Sequence, residues 1–363
     1  VARNQGLDPL LLAVSILGAA MPLLLAALGE LVVERSGVLN LGVEGMMIFG
    51  AIAGFATSVS TQSPLVGFAV AAVAGAAIAL LFGILTQLLY ANQVATGLAL
   101  TLFGLGLAAL IGQPFSGVKP PPVPRLDIPG VSDLPYLGPL VFSHDAMIYV
   151  ALAMVALVGV FLAKTRAGML LRAVGENHDA AHALGYRIVA TRMVAIAFGG
   201  AMAGLGGAYL SLVRVPQWNE GMTAGAGWIA LAIVVFGAWK PGRVMLGAFL
   251  FGGVTILQLN FQAAGITPLW LLPLGCLLFA ISATLSRIGG TGRMSIFGIA
   301  SLWVATMVFA VVADALPIAI PAQYLSMTRY LVSILVLVVM SADKLRTSLN
   351  APAMLGRPFT SQN

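Results

Sequence analysis

Charge is scarce in this sequence. Only 8% of its 363 residues are Asp, Glu, Lys or Arg, against about 25% in soluble globular domains. Together with a mean hydropathy of +1.01, this excludes an ordinary water-soluble domain. Cysteine is scarcer still. Cys276 stands alone in an apolar run, so the chain forms no internal disulfide and its redox compartment stays open. The four lysines, Lys119, Lys164, Lys240 and Lys344, have no G-x-x-x-x-G-K-[ST] context, which excludes that kind of phosphate-cradling loop. No cluster of Lys and Arg interleaved with accessible aromatics marks a nucleic-acid face. No catalytic, metal or cofactor cluster is expected, so the chain reads as no enzyme, and any ATP is bound by a separate subunit.

What is present is apolar length. Runs of about 20 apolar residues recur, each enough to cross a hydrocarbon core of about 30 Å. The expected fold is all-α, a polytopic transmembrane helical bundle of about 9–11 membrane segments, including short or broken helices. A barrel in the lipid bilayer would alternate in short segments instead. The 42 glycines suit helices that approach backbone to backbone in lipid. Spans are expected at 9–33, 41–60, 65–89, 94–111, 146–163, 193–213, a short one at 228–239, then 244–262, 269–285, 296–313 and 324–340. Segment 9–33 is too long for a signal-peptide core and lacks a basic leader. Residues 113–145 hold eight of the 19 prolines and read as an ordered, extended external loop. The transmembrane domain thus covers 1–341, followed by a polar, basic tail over 342–363.

The long internal loop that is rich in charge is 165–192, with Arg166, Arg172, Arg187 and Arg192, and Lys164 just before it. Positive charge favours the cytoplasmic side. With this loop inside, turns 90–93 and 240–243, the turn with Arg287 and Arg293, and the C-terminal tail also fall inside. The N-terminus, 113–145 and 214–227 fall outside. We read the loop as a cytoplasmic docking surface that controls the gating of a pore. Within it, 176–185 reads as a short helix capped by Asn177 or Asp179 and closed by Gly185. His178-Asp-Ala-Ala-His182 imitates the zinc motif H-E-x-x-H. Its Asp is one carbon short and no third ligand is in evidence, so it reads as two solvated histidines on a surface helix. Glu34 reads as paired with Arg35 at a helix end. The break before the second span, with Asn40, Glu44 and Gly45, is a candidate lining for a translocation path, joined by Trp228 at the start of the short segment. The role of Glu44 stays open between structure and transport.

Two motifs carry a family resemblance. ERSGVLNLGVEGMMIFGA, residues 34–51, is close to the signature of the nucleoside and simple-sugar branch of the binding-protein-dependent ABC importer permeases. That family includes the ribose, galactose and branched-chain amino-acid permeases. TRAGMLLRAVGENHDAAHALGYRI, residues 165–188, is similar to the family's cytoplasmic loop, T-x-x-G-x-x-x-x-A-x-G-x-N-x-x-A-A-x-x-x-G. Gly168, Ala173, Gly175, Asn177, Ala180, Ala181 and Gly185 match it. Residues 225–252 resemble the family's glycine-flanked short helices near the translocation path. The likeness covers 10–265 and resumes at 321–341. Residues 266–320 add an atypical pair of apolar segments.

The resemblance implies the permease subunit of an ATP-driven importer in a bacterial inner membrane. Nucleosides come first as cargo, simple sugars next, with branched-chain amino acids as an alternative. It implies no cofactor, ABC ATPase subunits that bind the ATP, a second and non-identical permease subunit, and an extracytoplasmic substrate-binding protein docking on 113–145 and 214–227. The helix at 176–185 would be the coupling helix, with Gly175, Glu176, Asn177, Asp179, Ala180, Ala181, Leu184 and Gly185 as its coupling set. The competing readings are an ion-coupled secondary transporter of a small polar solute and a membrane-embedded enzyme. The first needs inverted repeats and mid-membrane ionisable relays, and no convincing repeat is found. The second has the H-D-A-A-H pair as its one catalytic candidate.

Overall fold

The structure, a computed structural model, describes residues 9–127, 142–263 and 351–359. The expected spans at 269–285, 296–313 and 324–340, and the pair of segments at 266–320, lie outside these residues. The described residues are 77% helical with almost no strand. In order it forms α1 (Pro9–Arg35), α2 (Val43–Thr61), α3 (Pro64–Gly83), α4 (Gln93–Gly112), β1 (Arg125–Asp127), β2 (Ser143–Asp145), α5 (Ala146–Lys164), α6 (Arg166–Glu176), α7 (His178–Ala183), α8 (Ile188–Tyr209), α9 (Ala226–Phe236) and α10 (Pro241–Ala263). Among the described residues seven helices are long and apolar enough to cross a membrane, and α9 is a shorter apolar helix. These are the expected spans up to 262, including the short one. The chain divides into one unit of 1–252 with 350–363 and another of 253–349. Only the end of α10 is described in the second; the core and the site belong to the first.

The core is a seam of small residues. On α8, a Cβ at Gly204 would run into the Ala71 carbonyl of α3, one at Gly200 into Ala79, and one at Gly207 into the Met47 carbonyl of α2. The three helices therefore meet backbone to backbone, the close approach that small residues permit in lipid. Phe55, Phe82, Met46 and Met47 fill the surrounding space with almost no exposure. Helix α1 joins the seam where Gly29 meets Gly199 and Met202, and α4 joins where Gly104 meets Gly45.

The local elements follow from their ends. Asp145 Oδ1 accepts from Met147 N at 3.0 Å and Ile148 N at 3.3 Å, which starts α5. Asn92 Oδ1 accepts from Ala95 N at 3.0 Å and starts α4. Both α3 and α8 run on into a π-helical turn, Ile84–Leu88 and Leu210–Arg214. The described part of the proline-rich stretch is extended as expected, apart from a 3-10 turn at Gln113–Phe115. It leads into the antiparallel β1–β2 pair, with Arg125 opposite Asp145.

One expected boundary is corrected. Helix α8 begins at Ile188, not at 193. Ile188 is buried in a cluster with Val174, Ala181 and Phe359, so apolar packing extends the helix down into what reads by charge as loop. Arg192 thus belongs to α8 and is fully buried.

At one end of the bundle the end of α1 and the turn after it meet the start of α4, the α9–α10 turn and the tail. Leu39 N donates to Gln93 Oε1 at 2.8 Å, Arg35 Nη2 to the Trp239 carbonyl at 3.0 Å, and Gly356 N to the Gly37 carbonyl at 3.0 Å. At the other end of the bundle Trp218 pairs with Ser116. There too, Tyr209 Oη donates to Asp145 Oδ2 at 3.0 Å.

Candidate functional site

Helices α6 and α7 form a capped double turn at the first of these ends. Thr165 Oγ1 accepts from Gly168 N at 3.0 Å and opens α6. The inner face of α6 buries Leu171, Val174 and Gly175. Asn177, in extended backbone, ends α6, and its Oδ1 accepts from Ala180 N at 2.9 Å to open α7. Asn177 is therefore the cap, not Asp179. Gly185 closes α7 with φ of +85°, a backbone that favours glycine. Gly185 N donates to the His182 carbonyl at 2.8 Å and Tyr186 N to the Ala181 carbonyl at 3.2 Å. That paired pattern satisfies the last free carbonyls of the helix.

The coupling set splits by face. Glu176, Asn177, Asp179, Ala180, Leu184 and Gly185 are exposed, Leu184 by 77%. Gly175 and Ala181 point inward. A Cβ at Gly175 would meet the Arg35 carbonyl, so the end of α6 lies directly on the turn after α1. Helix α7 therefore carries exposed carboxylates, Glu176 and Asp179, at its start and an exposed apolar leucine at its end, while its back is fixed to the bundle.

Arg192 holds that back. Its guanidinium donates to the Ser36 carbonyl (3.1 Å), Gln87 Oε1 (3.3 Å), the Arg357 carbonyl (3.2 Å) and His178 Nδ1 (3.2 Å). Guanidinium can only donate, so His178 Nδ1 is the acceptor and its proton sits on Nε2, 3.5 Å from Asp179 Oδ1. Burial first, then the Arg192 and Arg357 charges, push the imidazole below its ordinary pKa, with Asp179 opposing. His178 is thus neutral and buried, which corrects the expectation of two solvated histidines; His182 is the exposed one. Phe359 packs edge-on against both rings, at 5.3 and 5.1 Å between centroids. Among the described residues no group of three or more His, Cys, Asp or Glu is placed to hold a metal.

The candidate path residues fall elsewhere, and three of the four are buried. Asn40 Oδ1 accepts from Gly42 N at 2.9 Å, and its own N–H donates to Glu30 Oε1 at 3.3 Å. Gly45 lies against the α4 backbone at Leu100 and Thr101. Glu44 Oε1 accepts from Thr223 Oγ1 (2.6 Å) and Gly225 N (2.9 Å), and Oε2 from Gly227 N (2.7 Å). A carboxylate there meets the free N–H groups and positive end of α9. Trp228 is half-exposed on the first turn of that same short helix. Glu34 is buried, and its Oε2 accepts from Trp239 Nε1 at 2.5 Å, so the helix end sits inside the fold and not in an open headgroup zone. Arg192, Thr223 and Phe359 are the residues the sequence reading missed. An arginine one turn inside an apolar run was the available signal for the first.

Comparison with known proteins follows the same line. The family described as branched-chain amino acid transport system / permease component matches residues 12–282. A putative glucose ABC transporter permease protein of Haloferax volcanii is 42% identical over 249 residues, 68% of this chain and 76% of its own length. A guanosine ABC transporter permease protein of Bacillus subtilis is 32% identical over 64% of this chain and 77% of its own. A nucleoside ABC transporter permease protein of Lactococcus lactis subsp. cremoris is 30% identical over 65% of this chain and 78% of its own. No solved structure matches.

Proposed function

We propose, from the fact that this chain belongs to the branched-chain amino acid transport system permease component family, that it forms the translocation path for simple sugars or nucleosides in an ATP-driven importer. It is a multi-pass membrane protein and a permease subunit of the ABC type. The cargo reading draws on relatives named for glucose, guanosine and nucleosides. The membrane is the cell membrane, the inner one in a bacterium. The chain itself carries no cofactor, and ATP is hydrolysed by ABC ATPase subunits. A second, non-identical permease subunit completes the path, and an external binding protein delivers the solute.

The observation that carries this reading is α7. It is a short, doubly capped helix with an exposed apolar tip and a back tied through Arg192 to α8 and to the turns that follow α1 and α3. Such a helix can transmit a push from an ATPase groove as a rigid body. Residues Glu176, Asn177, Asp179, Ala180, Leu184 and Gly185 make that contact. Gly175 and Ala181 seat the helix behind it. Glu44 fixes α9 beside the path, with Asn40 and Gly45 holding the bend before it.

The test is purification of the tagged chain from its native membrane, with mass spectrometry of stoichiometric partners, then reconstitution with the recovered binding protein. Uptake of labelled glucose or guanosine that needs ATP supports the reading. A chain that comes out alone and drives uptake without ATP overturns it in favour of an ion-coupled transporter.

A further inference from the structure

The tail segment 351–359 lies outside the coupling loop in sequence yet binds it from behind. Met354 N donates to the Gly175 carbonyl at 2.9 Å, the end of α6. Gly356 N donates to the Gly37 carbonyl at 3.0 Å, in the turn after α1. The Arg357 carbonyl accepts from Arg192 of α8. Phe359 then enters the apolar cluster of Val174, Ala181 and Ile188 and touches both α7 histidines. Within nine residues the tail thus reaches α6, α7, α8 and the α1–α2 turn. Without it, the Gly175 and Gly37 carbonyls lose their N–H donors and the back of a six-residue helix loses the phenyl ring that packs on it.

We infer that this segment is a positioning strap for the coupling helix, with Phe359 as its anchor, so that force applied at the α7 tip reaches the membrane helices instead of tilting α7. A helix of six residues is too short to hold itself, and its inner face presents only His178 and Ala181. Its orientation is therefore set by what packs behind it, and Phe359 is the largest such apolar group. The inference rests on the coupling-helix reading above. Phe359 touches neither solute nor ATPase in this account and acts through α7.

The experiment uses the assembled transporter in proteoliposomes, with a spin label at Ala183→Cys in a Cys276→Ser background. Phe359→Ala is expected to raise label mobility and to lower the ratio of solute moved to ATP hydrolysed by about five-fold or more, the low end of typical coupling energies. Phe359→Tyr is expected to restore both. Should Phe359→Ala lower the yield of complex, Phe359→Leu keeps the apolar bulk and shows a smaller change of the same sign. A strap variant that assembles with unaltered mobility or an unaltered transport ratio overturns the inference. Glu176→Lys, run alongside, separates the two readings. A flat response there brings down the coupling helix itself, whereas a strong response there beside a flat Phe359→Ala brings down the strap alone.

Discussion

Arg192 Nη2 lies 3.2 Å from His178 Nδ1, so a fully buried cation of α8 binds the inner face of α7 through a neutral imidazole. The groups facing that imidazole are Arg192 on α8, Arg357 on the tail and Asp179 on α7 itself. Folding lowers its pKa from the ordinary value of 6.5. The folded chain therefore binds the proton more weakly than the unfolded chain. The resulting stability is fully present above pH 6.5 and is lost as pH falls through the folded pKa. The purified protein should melt at a lower temperature at pH 5.5 than at pH 7.5, and His178→Gln should shrink that difference. An equal difference in the variant would remove His178 as its source.

Arg192→Met keeps the length of the side chain and deletes every donor. Four acceptors in a buried site then lose their partner, which should cost roughly 3 kcal/mol or more. Arg192→Lys should recover only part, because one ammonium cannot span the four acceptors of a planar fork. Thermal unfolding of the solubilised protein reads both. A Lys variant as stable as the parent would mean that a point charge suffices.

Glu44→Gln turns one of two acceptor oxygens into a donor facing the N-terminus of α9. The variant should reach the membrane, lose about 1–3 kcal/mol of local stability and take up solute more slowly. Thr223→Val, which deletes one of the three bonds, should have a smaller effect of the same sign. Parental uptake kinetics in Glu44→Gln would return this carboxylate to a passive cap.

Gly185→Pro asks a residue fixed near −65° to take a φ of +85° and removes the N–H that closes α7. Glu176→Lys reverses an exposed charge at its start. Both should leave the chain in the membrane while uptake falls out of step with ATP hydrolysis. Coupled uptake at the parental rate in both variants would remove α7 from the coupling path.

Gly204→Ala places a methyl against the Ala71 carbonyl of α3 and should cost about 1–3 kcal/mol by overpacking. Gly159→Ala on α5 meets open space and should be neutral or slightly stabilising, because alanine is the better helix former. Equal yields and melting temperatures for the two would contradict the backbone-to-backbone seam.

The helices were legible in the sequence because hydropathy over 20 residues records burial in lipid directly. The short helix at 176–185 was legible because Asn177 and Gly185 are residues whose chemistry suits the two ends of a helix. What the sequence hid is long-range pairing. Arg192 counts as one more loop arginine until Ser36, Gln87, His178 and Arg357 are brought to it from four elements. Phe359 is one aromatic in a polar tail, and its partners stand some 180 residues away along the chain. Glu44 could be suspected as a carboxylate near membrane depth, but its three donors come from some 180 residues further along the chain.

The seam among α2, α3 and α8 has a mechanical meaning. Contacts between side chains yield by rotating a torsion, so helices joined by them can slide or lag. Gly75, Gly200, Gly204 and Gly207 offer no torsion to rotate, and their neighbours are backbone atoms and the Ala79 methyl. The three helices are thus a single stiff plate, with α7 packed against its edge at Ile188. A displacement of any one of the three helices therefore carries the other two with it. Helix α9 hangs from that plate by the carboxylate of Glu44.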